Sequence, residues 1–402
     1  MGKEIELSTA ITDIAAGPFG SNLKVECFVP SGFPIIDGAN LKGYKVTDNI
    51  TKFVTEEKAR SLSRSIAHRG DVIVTISGTI GQIAYIPEDS LYDEYLCSQR
   101  QFRVSFDSSM VYVPYLVFYF HTFEGQNKIL SFANQTGVPA LSQPLKNFKK
   151  IRLCLPSLQE QRRIASIVET INDKIENNIK INSNLEQQAQ SYFQELFVDN
   201  ADPEWTTGTI SDLGTVVGGS TPSKAKPEYY TESGIAWITP KDLSNNKSKF
   251  VSHGENDITE LGLRNSSASI MPEGTVLFSS RAPIGYIAIA AGEVTTNQGF
   301  KSVVPKPEIG TPFVYFFLKN ALPVIEGMAS GSTFKEVSGS TMKNVPAVIP
   351  DAETLAKFSD FCAPIFAQQR ILEEQNQSLA TLRDNLLPKL MSGEIDVSAV
   401  QL

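Results

Sequence analysis

Apolar and polar positions recur with two different periods along this chain. From Gln159 a 4-3 spacing through Ile164, Val168, Ile171, Ile175, Asn178, Asn182, Leu185, Ala189, Tyr192 and Leu196 describes a heptad seam, which predicts a long helix with one face turned inward. A second seam runs through Phe361, Ile365, Gln368, Leu372, Gln375, Leu379, Leu382 and Leu386. Pro364 falls early enough to be a first-turn residue or a kink, and Pro388 with Gly393 marks the exit. Ahead of each seam the pattern is strand-like: short β-rich runs such as 71–75, 83–86 and 275–279 alternate with Gly, Pro and Ser. Residues 52–67 are the exception. There Thr55 is the expected N-cap, Glu56 and Glu57 lie in the first turn, and Leu62 and Ile66 form an inner face.

The strand-like regions are copies of one another. Residues 70–84 align with residues 274–288, sharing the terminal Gly and Ala and the Val, Ile-Gly and Ile between them. Gly17-Pro18 with Gly218-Gly219, Pro114 and its aromatic run with Pro312 and its own, and Lys146-Asn147 with Lys343-Asn344 fall at nearly the same offset. Four matches in register indicate a duplication. The expected order is a domain at 1–156, a helix at 157–199, a second domain at 200–352 and a second helix with its tail at 353–402. The fold class is α+β, each copy being a mixed α/β domain. Two apolar seams in one chain should bury each other, since exposed apolar surface costs roughly 25 cal/mol per Å². Aligning their midpoints sets Asn178 opposite Gln375, and with Asn182 and Gln368 these form a polar layer that fixes register. That layer is compatible with parallel and antiparallel pairing alike. The alternative is two core helices of one large domain.

Composition narrows the chemistry. The chain has 402 residues, 41% hydrophobic and 20% charged, as expected for two or three soluble globular domains. The apolar run 111–120, interrupted by Pro114, is too short to span a bilayer, and residues 1–6 lack the apolar core of a signal peptide, so a cytoplasmic location is expected. Cys27, Cys97, Cys154 and Cys362 are scattered, and His68, His121 and His253 have no partner at metal-ligand spacing. No phosphate-binding loop, nucleophile elbow, dinucleotide fingerprint or amino-methyltransferase motif occurs, and Glu56-Glu57-Lys58 lacks the upstream Pro-Asp of a nuclease. Neither a catalytic residue nor a metal site is expected. The pieces Gly78-Thr-Ile-Gly81 and Ala282-Pro-Ile-Gly285 read as turns between strands or, alternatively, as phosphate cradles.

A net charge of -8 argues against indiscriminate nucleic-acid binding, but its distribution is uneven. Residues 1–156 carry 16 basic and 15 acidic side chains, while 157–199, 200–352 and 353–402 are each at -3. In the first copy Arg60, Arg64 and His68 follow at helical spacing, either as a solvated face or as a phosphate-binding stripe. In the second, Lys224, Lys226, Lys241, Arg281 and Lys301 lie on loops rich in Gly, Ser, Thr and Asn.

Taken together, Gly17-Pro-Phe-Gly-Ser21, Gly218-Gly-Ser-Thr-Pro-Ser223, Trp237-Ile-Thr-Pro-Lys-Asp-Leu243, the two glycine blocks and Leu386-Leu-Pro-Lys-Leu-Met-Ser-Gly-Glu-Ile395 resemble the specificity subunit of a type I restriction-modification system over essentially the whole chain. The resemblance implies two target-recognition domains, each reading one half of a bipartite double-stranded DNA site, held apart by two long coiled-coil helices packed antiparallel with pseudo-twofold symmetry. It implies two methyltransferase subunits that methylate adenine, and restriction subunits. S-adenosylmethionine, Mg and ATP are then expected on the partners, with no cofactor on this chain and no membrane. The chain departs from the pattern where residues 351–354 replace the Pro-Ser-Leu-Gln-Glu-Gln run of 156–161, which leaves the start of the second helix open. The candidate DNA contacts are Ser21, Lys24, Lys42, Arg60, Arg64 and Arg100 in the first copy and Lys224, Lys241, Arg281, Asn297, Lys301 and Lys335 in the second. A helix over 159–197 would span roughly 58 Å, an upper bound of about 17 base pairs. The competing functions are a stand-alone DNA-modifying enzyme and a duplicated protein-binding scaffold without a DNA role.

Overall fold

The computed structural model describes residues 2–134, 137–281, 283–331 and 335–400. They gather into two compact units, Met1–Lys174 with Leu379–Leu402, and Ile175–Ser378. The first unit closes on itself where Lys3–Glu6 pairs antiparallel with Arg152–Leu155. Its main sheet has the antiparallel order Ile11–Ala16, Gln101–Phe106, Val72–Thr75, Ile83–Tyr85. All of Val72–Thr75 is buried because both faces of that strand are covered. Val72 and Val74 pack with the helix Val113–Phe120, whereas Ile73 faces Ile36, Val46 and Tyr95. A smaller sheet orders Phe53–Val54, Phe33–Ile36, Glu94–Cys97 and Ile66–His68, with a parallel pair at Ile35 and Leu96.

The second unit repeats this plan. Thr206–Thr209 closes against Pro346–Ile349. The main sheet runs Gly214–Gly218, Lys301–Pro305, Val276–Phe278, Ile287–Ala290, Phe250–Val251, and the smaller one contains a parallel pair at Trp237 and Thr295. Val276 and Phe278 again face one cluster and Leu277 the other.

Two long helices, Leu158–Gln194 and Ala352–Ser392, carry the seams. Each starts at a side-chain cap. Ser157 and Glu160 exchange hydrogen bonds, the Ser157 N–H donating to the Glu160 carboxylate at 3.0 Å; in the second helix Asp351 accepts from the Thr354 N–H at 2.9 Å. Asp351 thereby fixes the start that the altered run 351–354 left open. Gly393, at φ 76°, ends the second helix, and both Pro364 and Pro388 lie inside it on its exposed side, so Pro364 is not in the first turn and Pro388 is not the exit. Within each unit the helix segments are antiparallel. Asn172 faces Arg383 in the first; Asn178 faces Asn376 and Asn182 faces Gln369 in the second. The first seam is buried or half-buried throughout. Phe193 anchors its distal end, in contact with the rings of Phe197, Phe313, Phe316 and Phe358.

Two further expectations need correction. The second seam keeps Ile365, Leu372, Leu379 and Leu386, but its other column is Cys362, Gln369, Asn376 and Arg383, one residue on from Phe361, Gln368, Gln375 and Leu382, all four of which are exposed. The polar partner of Asn178 is therefore Asn376, which accepts from its Nδ2 at 2.8 Å, and neither Gln375 nor Gln368 belongs to the layer. The second correction concerns 52–67. Thr55 does cap a helix, accepting from the Lys58 N–H at 3.2 Å, but that helix is only Glu56–Ser61. Ser65 then turns to donate to the Ala16 carbonyl at 3.0 Å, and Ile66–His68 pairs with Glu94–Cys97. Strand pairing of buried Ile66 and Ala67 outweighs helix continuation, so Arg60, Arg64 and His68 lie on a helix, a 3₁₀ turn and a strand rather than on one stripe.

Candidate nucleic-acid interface

In the first unit the loops leaving one end of the main sheet enclose a cleft of about 670 Å³, lined by Lys42, Arg100, Lys52, Ser77, Thr79 and three glutamines, Gln82, Gln99 and Gln101, among others. The loop after Ile11–Ala16 forms part of its wall. That loop enters through Gly17, whose N–H donates to the Gln101 carbonyl at 2.8 Å. A Cβ there would sit 1.9 Å from the Ser98 carbonyl oxygen, so only glycine permits the approach. Leu23 and Val25 of the same loop line the cleft, which places exposed Ser21 and Lys24 on its rim beside an exposed Phe19. Among the described residues the ammonium groups of Lys24 and Lys42 and the guanidinium of Arg100 have no carboxylate partner, whereas Lys52 is held by Asp37 at 2.6 Å.

Arg60 and Arg64 stand apart from this cleft. Arg60 is clamped between Glu56 at 2.8 Å and Glu94 at 2.6 Å, and the imidazole of His68 is 3.3 Å from the same Glu94. The Arg60 hydrogen bond holds the Glu94 carboxyl below its ordinary range. A phosphate would have to displace two carboxylates from Arg60.

The second unit builds a corresponding loop cluster. Gly219 occupies the place of Gly17: its N–H points to the Phe300 carbonyl, and a Cβ would meet the Asn297 carbonyl oxygen at 2.0 Å. Thr221 donates to Gln298, and the Trp237 indole donates to the Ser220 carbonyl at 3.0 Å, which ties the Lys224 loop to the Asn297 turn. Asn297 accepts from the Gly299 N–H at 2.9 Å. Arg281 lies beside Glu336 at 3.3 Å, next to Lys335 and Lys301. Burial lowers the Lys301 ammonium below its ordinary value against the opposing pull of Glu336, and Arg281 adds to the lowering. Lys241 is paired with Glu255 at 2.6 Å in full solvent. Lys224 and Lys335 are exposed and have no ion-pair partner among the described residues.

The glycine pieces act as turns. Gly78 and Gly81 both take φ 85° and Gly285 takes φ 91°. Gly81 packs against Gln126 and Leu130, and Gly285 against Leu322, so neither faces an open cradle; Ala282 lies outside the described residues. Composition alone did not single out Gln82, Gln99, Gln101 or Gln298. Matching 98–101 with 297–300 would have found two of them, since Gln99 and Gln298 take equivalent turn positions. Among the described residues no group of three His, Cys, Asp or Glu side chains is placed to hold a metal ion, and no helix is long and apolar enough to cross a membrane.

Two loop clusters of one design thus offer amides, hydroxyls and cations free of carboxylates among the described residues. The sequence profile of the type I restriction modification DNA specificity domain matches residues 29–187 and again 203–382. The chain belongs to this family. With membership in the type I DNA specificity family comes a role in DNA sequence specificity that is non-catalytic. The MjaIX specificity subunit of Methanocaldococcus jannaschii is 39% identical over 194 residues, a match covering 46% of this chain and 45% of that relative. This chain thus spans under half of that relative's length. The HindI specificity subunit of Haemophilus influenzae is 22% identical over 392 residues, covering 78% of this chain and 84% of its own. The crystal structure of a type I restriction-modification S subunit from M. genitalium shares the fold over 97% of this chain and 96% of its own, with a TM-score of 0.59 at 16% identity.

Proposed function

We propose that this type I specificity chain reads a bipartite double-stranded DNA site, one half through each loop cluster, and recruits two adenine methyltransferase subunits and, where the system has them, restriction subunits. S-adenosylmethionine, Mg and ATP belong to those partners, and this chain binds none of them. The work is done in the cytoplasm. One observation carries the reading: the same backbone hydrogen bonds build one loop cluster twice, at Gly17 and at Gly219, while the side chains that fill it differ. A reader of one repeated sequence would have no use for that divergence, whereas two unlike half-sites demand it. Of the candidate contacts, Ser21, Lys24, Lys42 and Arg100 and then Lys224, Arg281, Asn297, Lys301 and Lys335 are the set the loop clusters favour. Arg60, Arg64 and Lys241 contribute less, either paired or remote from the cleft.

The test is reconstitution. The full chain, alone and with the methyltransferase of its own system, is incubated with DNA and labelled methyl donor. Methyl transfer only with both proteins present, at a two-part site, is the expected result. Transfer by the pure chain would make it a stand-alone enzyme, and transfer by the methyltransferase unaffected by the chain would leave a scaffold without a DNA role.

A further inference from the structure

In both units the strand leaving the main sheet is pinned by the same two hydrogen bonds. In the first, the Ile76 N–H donates to the Arg100 carbonyl at 2.7 Å, and the Ile76 carbonyl accepts from the Leu141 N–H at 2.8 Å. In the second, the Ser280 N–H donates to the Gly299 carbonyl at 2.7 Å, and the Ser280 carbonyl accepts from the Val337 N–H at 2.8 Å. These bonds equate Ile76 with Ser280, Arg100 with Gly299 and, one residue along, Ser77 with Arg281. The neighbouring bridges agree, Ser77 facing Ala140 as Arg281 faces Glu336. Each copy thus contains one corner made by two positions, and each corner holds one arginine beside one small residue, on opposite partners.

Sterics explain the exchange. In the first corner Nη1 of Arg100 lies 3.7 Å from where a Cβ on Gly78 would stand, so the guanidinium folds over the Ser77-Gly78 turn. In the second, a Cβ at Gly299 would begin only 3.0 Å from the Asn297 amide oxygen and from Pro240, which leaves an arginine there little room. The guanidinium instead comes from the facing position, Arg281. Both forks keep free donors among the described residues. The Arg100 guanidinium has no partner, and Arg281 is held by Glu336 at 3.3 Å through Nη2, its Nε being buried without an acceptor. Beside Arg100 the cleft sets the neutral amides of Gln82, Gln99 and Gln101 and the hydroxyls of Ser77 and Thr79, together with Lys42 and the Lys52–Asp37 pair. A planar fork in such surroundings suits the paired O6 and N7 acceptors of guanine in the major groove, a match that the point charge of lysine does not reproduce.

We propose that Arg100 and Arg281 are counterpart specificity residues, each reading a guanine in the half-site of its own domain; this rests on the DNA-reading role argued above. Methylation sequencing of a random-site plasmid library tests it, in cells carrying the full chain and the methyltransferase of its own system. Arg100→Lys keeps the charge and loses the fork. It is expected to cut the preference for guanine over the other base pairs roughly ten- to hundredfold at one position of one half-site, with the other half-site unchanged. Arg281→Lys should do the same in the other half. The double change Ser77→Arg with Arg100→Gly copies the second corner into the first and should restore the guanine preference. A lysine variant that leaves every preference intact, or that lowers methylation evenly at all sequences while its melting temperature holds, overturns the proposal and makes the arginine a phosphate contact. A wild-type complex that methylates no two-part site overturns the DNA-reading role itself, and the proposal with it.

Discussion

Lys249 shows how one residue can join a strand-rich domain to the long helices. Its side chain is buried, with Nζ 2.8 Å from Glu186 on the first long helix, 2.9 Å from Gln369 on the second, and 3.4 Å from the centre of the Phe366 ring. Glu373 accepts the Lys249 and Phe250 backbone N–H groups at 2.7 and 3.0 Å, so the edge of the sheet and both helices meet at one point. Burial pushes Lys249 down to about 8 although Glu186 opposes it. Burial raises the Glu186 carboxyl too, but the ammonium groups of Lys249 and Lys319 outweigh this and hold it at about 2. Because the folded value lies below the ordinary carboxylate value, Glu186 stabilises the fold above pH ~4.5, and that contribution is lost as pH falls toward 2. Glu186→Gln strands a buried ammonium and should cost about 3–5 kcal/mol, while flattening the acid limb of stability. Lys249→Met, seated among the rings of Tyr315, Phe316 and Phe366, should cost far less. Denaturant titrations at pH 7 and pH 3 decide this, and equal losses for the two variants would contradict the pairing. The first unit reverses the polarity. The backbone position of Lys249, accepting from Ile289, is held there by Tyr44, accepting from Tyr85, and the cation comes from the helix as Arg383, 5.6 Å from the Tyr44 ring. At the loop clusters the contrast between free and paired cations is equally testable. Lys24→Gln or Lys42→Gln should each flatten the salt dependence of DNA binding by about one unit of slope, and Arg60→Gln, already neutralised by Glu56 and Glu94, should change it little. Fluorescence binding isotherms over a salt series read this directly.

Among the elements, the helix seam explains both what the sequence made legible and what it hid. The first seam could be read because its apolar column is continuous except at Asn178 and Asn182, and the structure buries or half-buries each of its members. The second was read one residue out of phase in one column. Phe361 and Leu382 attract an apolar template, yet they are exposed, and the inward column uses Gln369, Asn376 and Arg383, whose polar ends each find a partner across the helix pair. Periodicity cannot see a hydrogen bond to a partner 198 residues away in sequence. The same limit hid the strand Ile66–His68, which pairs with residues nearly 30 positions on, whereas the buried run Val72–Thr75 announced itself. The loop clusters were legible in residue type and not in arrangement, since the corner formed by Ser77 and Arg100 depends on strand pairing. A prediction follows from the polar layer. Asn178 is fully buried, and both its Oδ1 and that of Asn182 lack a partner among the described residues. Replacing Asn178 and Asn376 together with Leu should raise the melting temperature, since a buried half-satisfied amide costs about 1–3 kcal/mol, while weakening register specificity. Calorimetry of the double variant, alongside Asn178→Leu alone, checks it. A loss of several kcal/mol in the double variant would mean that the amide pair stabilises more than its unmet acceptor costs.

For the whole molecule, the consequential feature is how each duplicated domain begins and ends. Lys3 pairs with Leu155 and Thr206 with Ile349, so in each copy the first and last strands are neighbours and the domain leaves the chain as a closed module just before a capped helix. Modules whose ends lie together are those that tolerate transplantation. The joint also carries a condition. Gln161, fully buried, accepts from the Tyr112 N–H at 2.9 Å and donates to the Met110 carbonyl at 3.0 Å, and Ile164, Ala165 and Val168 share a core with Leu116 and Val117. A donor domain must keep these helix-facing positions. Under that condition, exchanging residues 1–156 for the corresponding domain of a related subunit, with Ser157 and the helix untouched, should change one half of the methylated sequence. The half read by 200–352 and the spacing between halves should stay as they were. Methylation sequencing of the same plasmid library reports all three quantities at once. An exchange that rewrites both halves would mean that the two loop clusters read DNA jointly, and the division into independent readers would have to be given up.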